Sequence, residues 1–206
     1  MSLAKVCITY RLEFFTPVHV GAGTGGRGFL DKYLYRERDY HQKKDYPIIP
    51  GSTIKGRLRA AVTALARAQV YGPEEACRET EDCPCLVCLI FGQKGNRRGH
   101  LYFEDARPTY NDIDRLVGVR PGIAMDRYRR VARDNALYTV ETVGGKNVVF
   151  QGQIWGWVPE EKRQTVVAAL KDAFAFNYAL GFGKSRGLGW FRVQVVEEGS
   201  GKCGTP

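Results

Sequence analysis

Apolar side chains fall on every second residue from Val6 to Phe14, at Val6, Ile8, Tyr10, Leu12 and Phe14. Cys7, Thr9, Arg11 and Glu13 lie between them, and a period of two fixes a strand with one buried face. Further along, the period changes. After Pro50-Gly51-Ser52, the residues Ile54, Leu58, Ala61, Val62 and Leu65 recur at helical spacing. Ser52 is the expected N-cap, and the helix is expected to end near Gly72-Pro73. Pro159 with Glu160 and Glu161 opens a second helix, whose stripe is Val166, Val167, Leu170, Phe174 and Tyr178. His100 to Glu104 reads as a short strand. Tyr138 to Val143 and Val148 to Trp157 read as a hairpin across residues 144–147, with Trp155 and Trp157 in the core. A last strand carries Phe191, Val193 and Val195 on one face. The order β-α-β-β-α-β is the split βαβ, or ferredoxin-like, arrangement, which the RNA recognition motif (RRM) shares. The expected class is therefore α+β. One domain is expected over 1–198, with insertions at about 21–46, 73–99 and 106–137 and a disordered tail at 199–206.

Hydrophobic residues make up 44% of the 206, enough for a core. No apolar run approaches the ~20 residues of a membrane helix. The first ten residues lack the charged-then-apolar layout of a signal peptide, so a soluble cytoplasmic protein with no membrane partner is expected. The formal net charge of +9 points to a polyanion, of which nucleic acid is the commonest. Charge that only aids solubility is the alternative, but the basic residues sit among glycines and aromatics rather than in a tail.

Two glycine-rich segments ask for different readings. Gly21-Ala-Gly-Thr-Gly-Gly26 satisfies a dinucleotide-binding pattern, but a charged loop follows where that fingerprint needs a helix to face the pyrophosphate. Gly181-Phe-Gly-Lys-Ser-Arg-Gly-Leu-Gly189 places Lys184 and Arg186 among four glycines, so backbone N–H groups and two cations can approach phosphate oxygens. It is not a Walker loop, because the order of Lys and Ser is wrong and no helix follows. Lys55 and Arg59 lie one turn apart on the first helix and can reach a common anion.

Of six cysteines, Cys77, Cys83, Cys85 and Cys88 fall within twelve residues. Without a secretion signal such a cluster reads as a four-thiolate zinc site before it reads as disulfides. His100 or Cys203 could replace one ligand. The zinc would be structural, since a closed set of four thiolates leaves no open position. His19 is a candidate RNA contact or general base, with an ordinary loop histidine as the alternative; His41 is expected to be solvated.

The glycine loop, taken with Ile49-Pro-Gly-Ser-Thr-Ile-Lys-Gly-Arg-Leu-Arg59, resembles the RAMP (repeat-associated mysterious protein) superfamily, and in particular the backbone subunits of type III CRISPR effector complexes. Cys88-Leu-Ile-Phe-Gly92 agrees, as does Gly122-Ile-Ala-Met-Asp-Arg127 ahead of Asn135-Ala-Leu-Tyr-Thr-Val-Glu141. The motifs follow one another in the right order between residues 6 and 196. The resemblance implies a ferredoxin-like core that holds guide RNA, stacked in a filament with copies of itself or related RAMP subunits. It implies a β-hairpin thumb from about Gly122 to Glu141. Arg127, Arg129, Arg130 and Arg133 would supply charge there, and Met125 and Tyr128 would wedge between bases. Lys55, Arg57, Arg59, Lys184, Arg186 and His19 become RNA-binding candidates. Asp31 becomes the catalytic candidate for cutting paired target RNA with Mg²⁺ or another divalent ion, with Asp39 and Asp45 as competitors. Two alternatives stay open: a subunit that binds without cutting, and a metal-independent guide-processing endonuclease using His19 or lysines.

Overall fold

The computed structural model describes residues 2–23, 29–39, 43–78, 83–93, 97–110, 113–144 and 148–197. In chain order the elements are β1 (Leu3–Phe14), β2 (Arg36–Asp39), β3 (Lys44–Pro47), α1 (Gly51–Arg67), α2 (Leu86–Phe91), β4 (Gly92–Gln93) and β5 (Arg97–Arg98). There follow β6 (Leu101–Phe103), β7 (Arg107–Pro108), β8 (Val117–Met125), β9 (Ala132–Val143), β10 (Val148–Pro159), α3 (Arg163–Phe176) and β11 (Phe191–Glu197). Helices and antiparallel sheet segregate, which makes the chain α+β. No helix among the described residues is long and apolar enough to cross a membrane.

The main sheet has the order β11-β1-β10-β6, with β7 also paired to β10. All of its pairings are antiparallel. The alternation of β1 does what its period requires. Val6, Ile8, Tyr10, Leu12 and Phe14 are buried in one cluster with Ile54, Leu58 and Val62 of α1 and Val166, Leu170 and Phe174 of α3. Tyr10 meets Phe174 at 4.9 Å between ring centroids, and Phe14 meets Phe150 edge-on at 5.9 Å.

Four expectations change. Trp155 and Trp157 do not face the core: they pair with Cys7 and Lys5 on the outer face, and Trp157 is 45% exposed. The core phase of β10 instead runs through Phe150, Gly152, Ile154, Gly156 and Val158. Its two glycines misled the reading of the phase. A Cβ at Gly152 would collide with the Tyr10 hydroxyl, and one at Gly156 with the His100 carbonyl. Second, Tyr138 to Val143 does not form a hairpin with β10. It belongs to β9, which pairs with β8 from Val117↔Val143 to Met125↔Ala132 as a ribbon of its own. Third, α1 is not capped by Ser52; the Gly51 N–H donates to Asp105 Oδ1 at 2.6 Å, so a distant loop supplies the cap. Fourth, α3 stops at Phe176, where the Asn177 amide donates to Ala173 O at 2.7 Å. Tyr178 thereby leaves the helical phase and is 68% exposed.

Candidate nucleic-acid interface

The glycine loop is stitched to the segment that follows β1. Phe182 N donates to His19 O at 2.9 Å, and Gly189 N donates to Pro17 O at 2.8 Å. The loop passes so close to other backbone that glycine is required at two points. At Gly181 (φ 84°) a Cβ would strike the His19 carbonyl, and at Gly189 (φ 71°) it would strike that of Leu180. Held this way, the loop forms one wall of a cavity of about 500 Å³ that Arg57, Tyr178, Lys184 and Arg186 also line.

The cations in this cavity are undersupplied with acceptors. Arg57 reaches Ala179 O with one terminal nitrogen at 3.5 Å, but its buried Nε has no hydrogen-bond partner among the described residues. Burial, and then the like charge of Arg57, lowers the pKa of Lys184 below the usual lysine value. Arg186 donates to the Tyr138 hydroxyl at 2.9 Å and stands 5.0 Å from the centre of the Phe182 ring. An entering phosphate would relieve the repulsion among these cations. Lys55 does not join this cavity; its ammonium lies 5.9 Å from the centre of the Phe103 ring. Of the three basic residues singled out on α1, Arg57 is the one that lines this cavity.

His19 is 3% exposed. Its Nδ1 lies 2.6 Å from the carbonyl oxygen of Glu141, and its ring meets Phe182 edge-on at 5.9 Å. Desolvation lowers its pKa, so the ring is neutral and donates to that carbonyl. His19 braces the glycine loop from beneath instead of presenting a nitrogen to RNA. His41 lies outside the described residues.

The ribbon of β8 and β9 carries the expected thumb residues at its far end. Met125 is 54% exposed, Tyr128 is 99% exposed, and Arg127, Arg129, Arg130 and Arg133 are all exposed. Asp126 shapes the tip by accepting from the N–H groups of Tyr128 (2.9 Å) and Arg129 (3.0 Å). Those two bonds, with the Arg129 N–H first, hold its carboxyl below the usual range.

Asp31 is docked on the root of the same ribbon. Thr139 N donates to Asp31 Oδ2 at 2.7 Å, and Asp31 N donates to Thr139 Oγ1 at 3.2 Å. Two residues further on, buried Glu141 pins the loop, accepting from Leu34 N at 2.8 Å and from Arg36 at 2.7 Å. Lys32 then places its ammonium 4.9 Å from the centre of the Phe182 ring. Asp31, the thumb root and the glycine loop therefore converge. Asp45 lies exposed on the β2–β3 ribbon, and the Asp39 side chain is outside the described residues. The sequence reading gave no role to Thr139, Glu141 or Phe182, whose partners lie far away in the chain.

A second cluster sits apart from this interface. The sulfur atoms of Cys77, Cys83, Cys85 and Cys88 all lie within 4.8 Å of one another, and Cys77 and Cys88 are 3.6 Å apart. A tetrahedral ion with bonds of ~2.3 Å needs sulfurs ~3.8 Å apart, so the set fits one metal ion such as zinc. His100 is not needed; its Nδ1 lies 3.0 Å from the Trp157 carbonyl, and Cys203 is outside the described residues. Burial raises the pKa of Cys88 to about 11 and pushes Cys85 up further, whereas Cys83 is brought down to about 7. Desolvation, the largest single influence, opposes that last shift, and the N–H groups of Arg78 and Cys85 together with the thiols of Cys85 and Cys88 outweigh it. Glu75 secures the cluster: it accepts from Leu86 N at 2.6 Å, between two of the cysteines, and pairs with Lys162 at the start of α3.

The chain is 27% identical over 125 residues to the CRISPR system Cms endoribonuclease Csm3 of Streptococcus thermophilus, covering 58% of this chain and 52% of that protein. It is 31% identical over 114 residues to the protein of the same name from Mycobacterium tuberculosis, covering 54% of this chain and 45% of that protein. The chain thus spans about half the length of the curated relatives it matches. The model of the RAMP superfamily matches residues 11–192, and the chain belongs to that superfamily.

Proposed function

We propose that this chain is an RNA-binding backbone subunit of a type III CRISPR effector complex, gripping guide RNA by its phosphates. The observation that supports it most is the cavity beside the glycine loop, where Arg57, Lys184 and Arg186 meet. A backbone phosphate answers those three cations whatever the base sequence, as a guide-binding scaffold requires. The sheet order β11-β1-β10-β6 reads as the ferredoxin-like, RRM-like core, with the cysteine segment as a zinc-holding insertion and the β8–β9 ribbon as the thumb. Partners would be guide RNA, target RNA and further copies of this chain or related RAMP subunits. The zinc would be structural.

Asp31 would cut the paired target RNA, holding a divalent ion such as Mg²⁺ or positioning the 2′-hydroxyl that attacks the adjacent phosphate. Its docking on the thumb root favours this assignment over Asp45. Burial of His19 speaks against it as the base of guide processing without metal, which leaves that alternative to the lysines.

The test has two arms. Changing Lys184 and Arg186 to Gln should weaken RNA binding and flatten the plot of log affinity against log salt by roughly one unit per lost phosphate contact. An unchanged slope would remove the loop as a phosphate site. Asp31→Ala in the assembled complex should abolish Mg²⁺-dependent cutting while RNA stays bound. Unchanged cutting would leave this subunit as a scaffold.

A further inference from the structure

Two exposed aromatic rings flank the glycine loop and have no task in the reading above. Tyr178 is 68% exposed and Trp190 is 43% exposed, and their rings meet edge-on at 6.3 Å. Both stand on fixed backbone. Tyr178 O accepts from Phe191 N at 3.0 Å, and Ala179 forms a bridge with Trp190. The indole N–H of Trp190 donates to Lys184 O at 3.0 Å, which satisfies its polar end and sets its orientation.

We propose that Tyr178, propped edge-on by Trp190, offers a stacking face to one unpaired nucleobase whose phosphate lies among Arg57, Lys184 and Arg186. The proposal rests on the RNA reading and names the form of RNA the site takes: single-stranded. Tyr178 lines the same cavity as the three cations, so an aromatic ring and a candidate phosphate site open onto one space. An inorganic anion has no use for the ring, and an apolar peptide has no use for three cations. A nucleotide has both a π face and a charged phosphate, and ring stacking beside a basic groove is how single strands are held without sequence readout. Bases within a duplex are already stacked on their neighbours and cannot offer a face. The rings are also pre-oriented, so stacking costs little ordering entropy.

The test compares the 206-residue chain, Tyr178→Ala and Tyr178→Phe for binding to an unstructured single-stranded RNA, a duplex RNA and inorganic polyphosphate, across a salt series. Tyr178→Ala should weaken single-strand affinity about tenfold, the loss of one stacked base. It should leave the salt slope and the polyphosphate affinity unchanged, because stacking releases no counterions. Tyr178→Phe should bind as the wild type does. Single-strand affinity unchanged in Tyr178→Ala would overturn the proposal, as would an equal loss on polyphosphate, which would make the ring a prop for the cations. Loss of self-association without loss of RNA affinity would also overturn it, in favour of a protein contact. A wild-type chain with no salt-dependent RNA affinity would instead sink the RNA reading on which this rests.

Discussion

The glycine-loop end and the cysteine insertion are built on opposite principles. At the glycine loop, cations crowd together, a buried Arg57 nitrogen has no acceptor among the described residues, and aromatic rings stand in solvent. In the insertion, Cys83, Cys85 and Cys88 are buried, Cys77 lies beside them, and Glu75 and Lys162 answer each other at the edge. A surface that meets a large polymer keeps its bonding capacity unspent until the polymer arrives. A site for a single ion converges its donors on one point and closes over it, because water would compete for every ligand. The contrast separates the proposed RNA site from what holds the fold.

The contrast can be broken most severely at the insertion. Cys85→Ser should lower the bound metal and drop the melting temperature by about 10 °C, on the order of 3–5 kcal/mol for a chain of this size. The salt dependence of RNA binding should not move. Full metal content in that variant would dismantle the four-thiolate assignment, and a changed salt slope would show that the two regions are not independent.

Glu75→Gln should have the next largest effect, about 2–3 kcal/mol. It leaves the partly exposed Lys162 without its partner and weakens the bond that holds Leu86 between Cys85 and Cys88. Chelator competition should extract metal faster from this variant than from the wild type. Equal rates would make Glu75 a fold contact with no bearing on the metal.

The smallest effect concerns pH and sharpens the other side of the comparison. The pKa of His19 is lowered in the fold, so its contribution to stability is full above the unfolded value of ~6.5 and is lost as pH falls through the lower folded value. His19→Asn, which retains a donor for the Glu141 carbonyl, should flatten the fall in melting temperature on the acid side. RNA affinity at pH 8 should be unaffected, since the ring lies beneath the loop and not on its surface. A parallel pH profile for the two proteins would mean that His19 stays neutral at no cost.

Much of the site was legible before any coordinates. Lys184 and Arg186 stood out because glycines bracket them, and the four cysteines because their spacing is close. Tyr178 and the two tryptophans of β10 were misread for one reason. Periodicity assigns a face only while the element continues and its apolar phase is filled, and Asn177 ends one element while Gly152 and Gly156 empty the phase of the other. Arg57 was legible as a cation but not as a cavity residue, because the cavity is made by a loop more than a hundred residues away.

By itself the sequence determined the strand of Val6 to Phe14, the first helix, the positive glycine loop and the thiolate set. Each of these depends on neighbours within a few residues, where spacing and residue type fix geometry. Only the tertiary structure decided that Asp31 rests on Thr139, that Glu141 anchors the loop beyond it, that Asp105 caps the first helix, and that Tyr178 shares a cavity with Arg57. Those pairings join residues brought together by sheet register and chain crossing, and the free energy that selects them comes from burying the whole core at once.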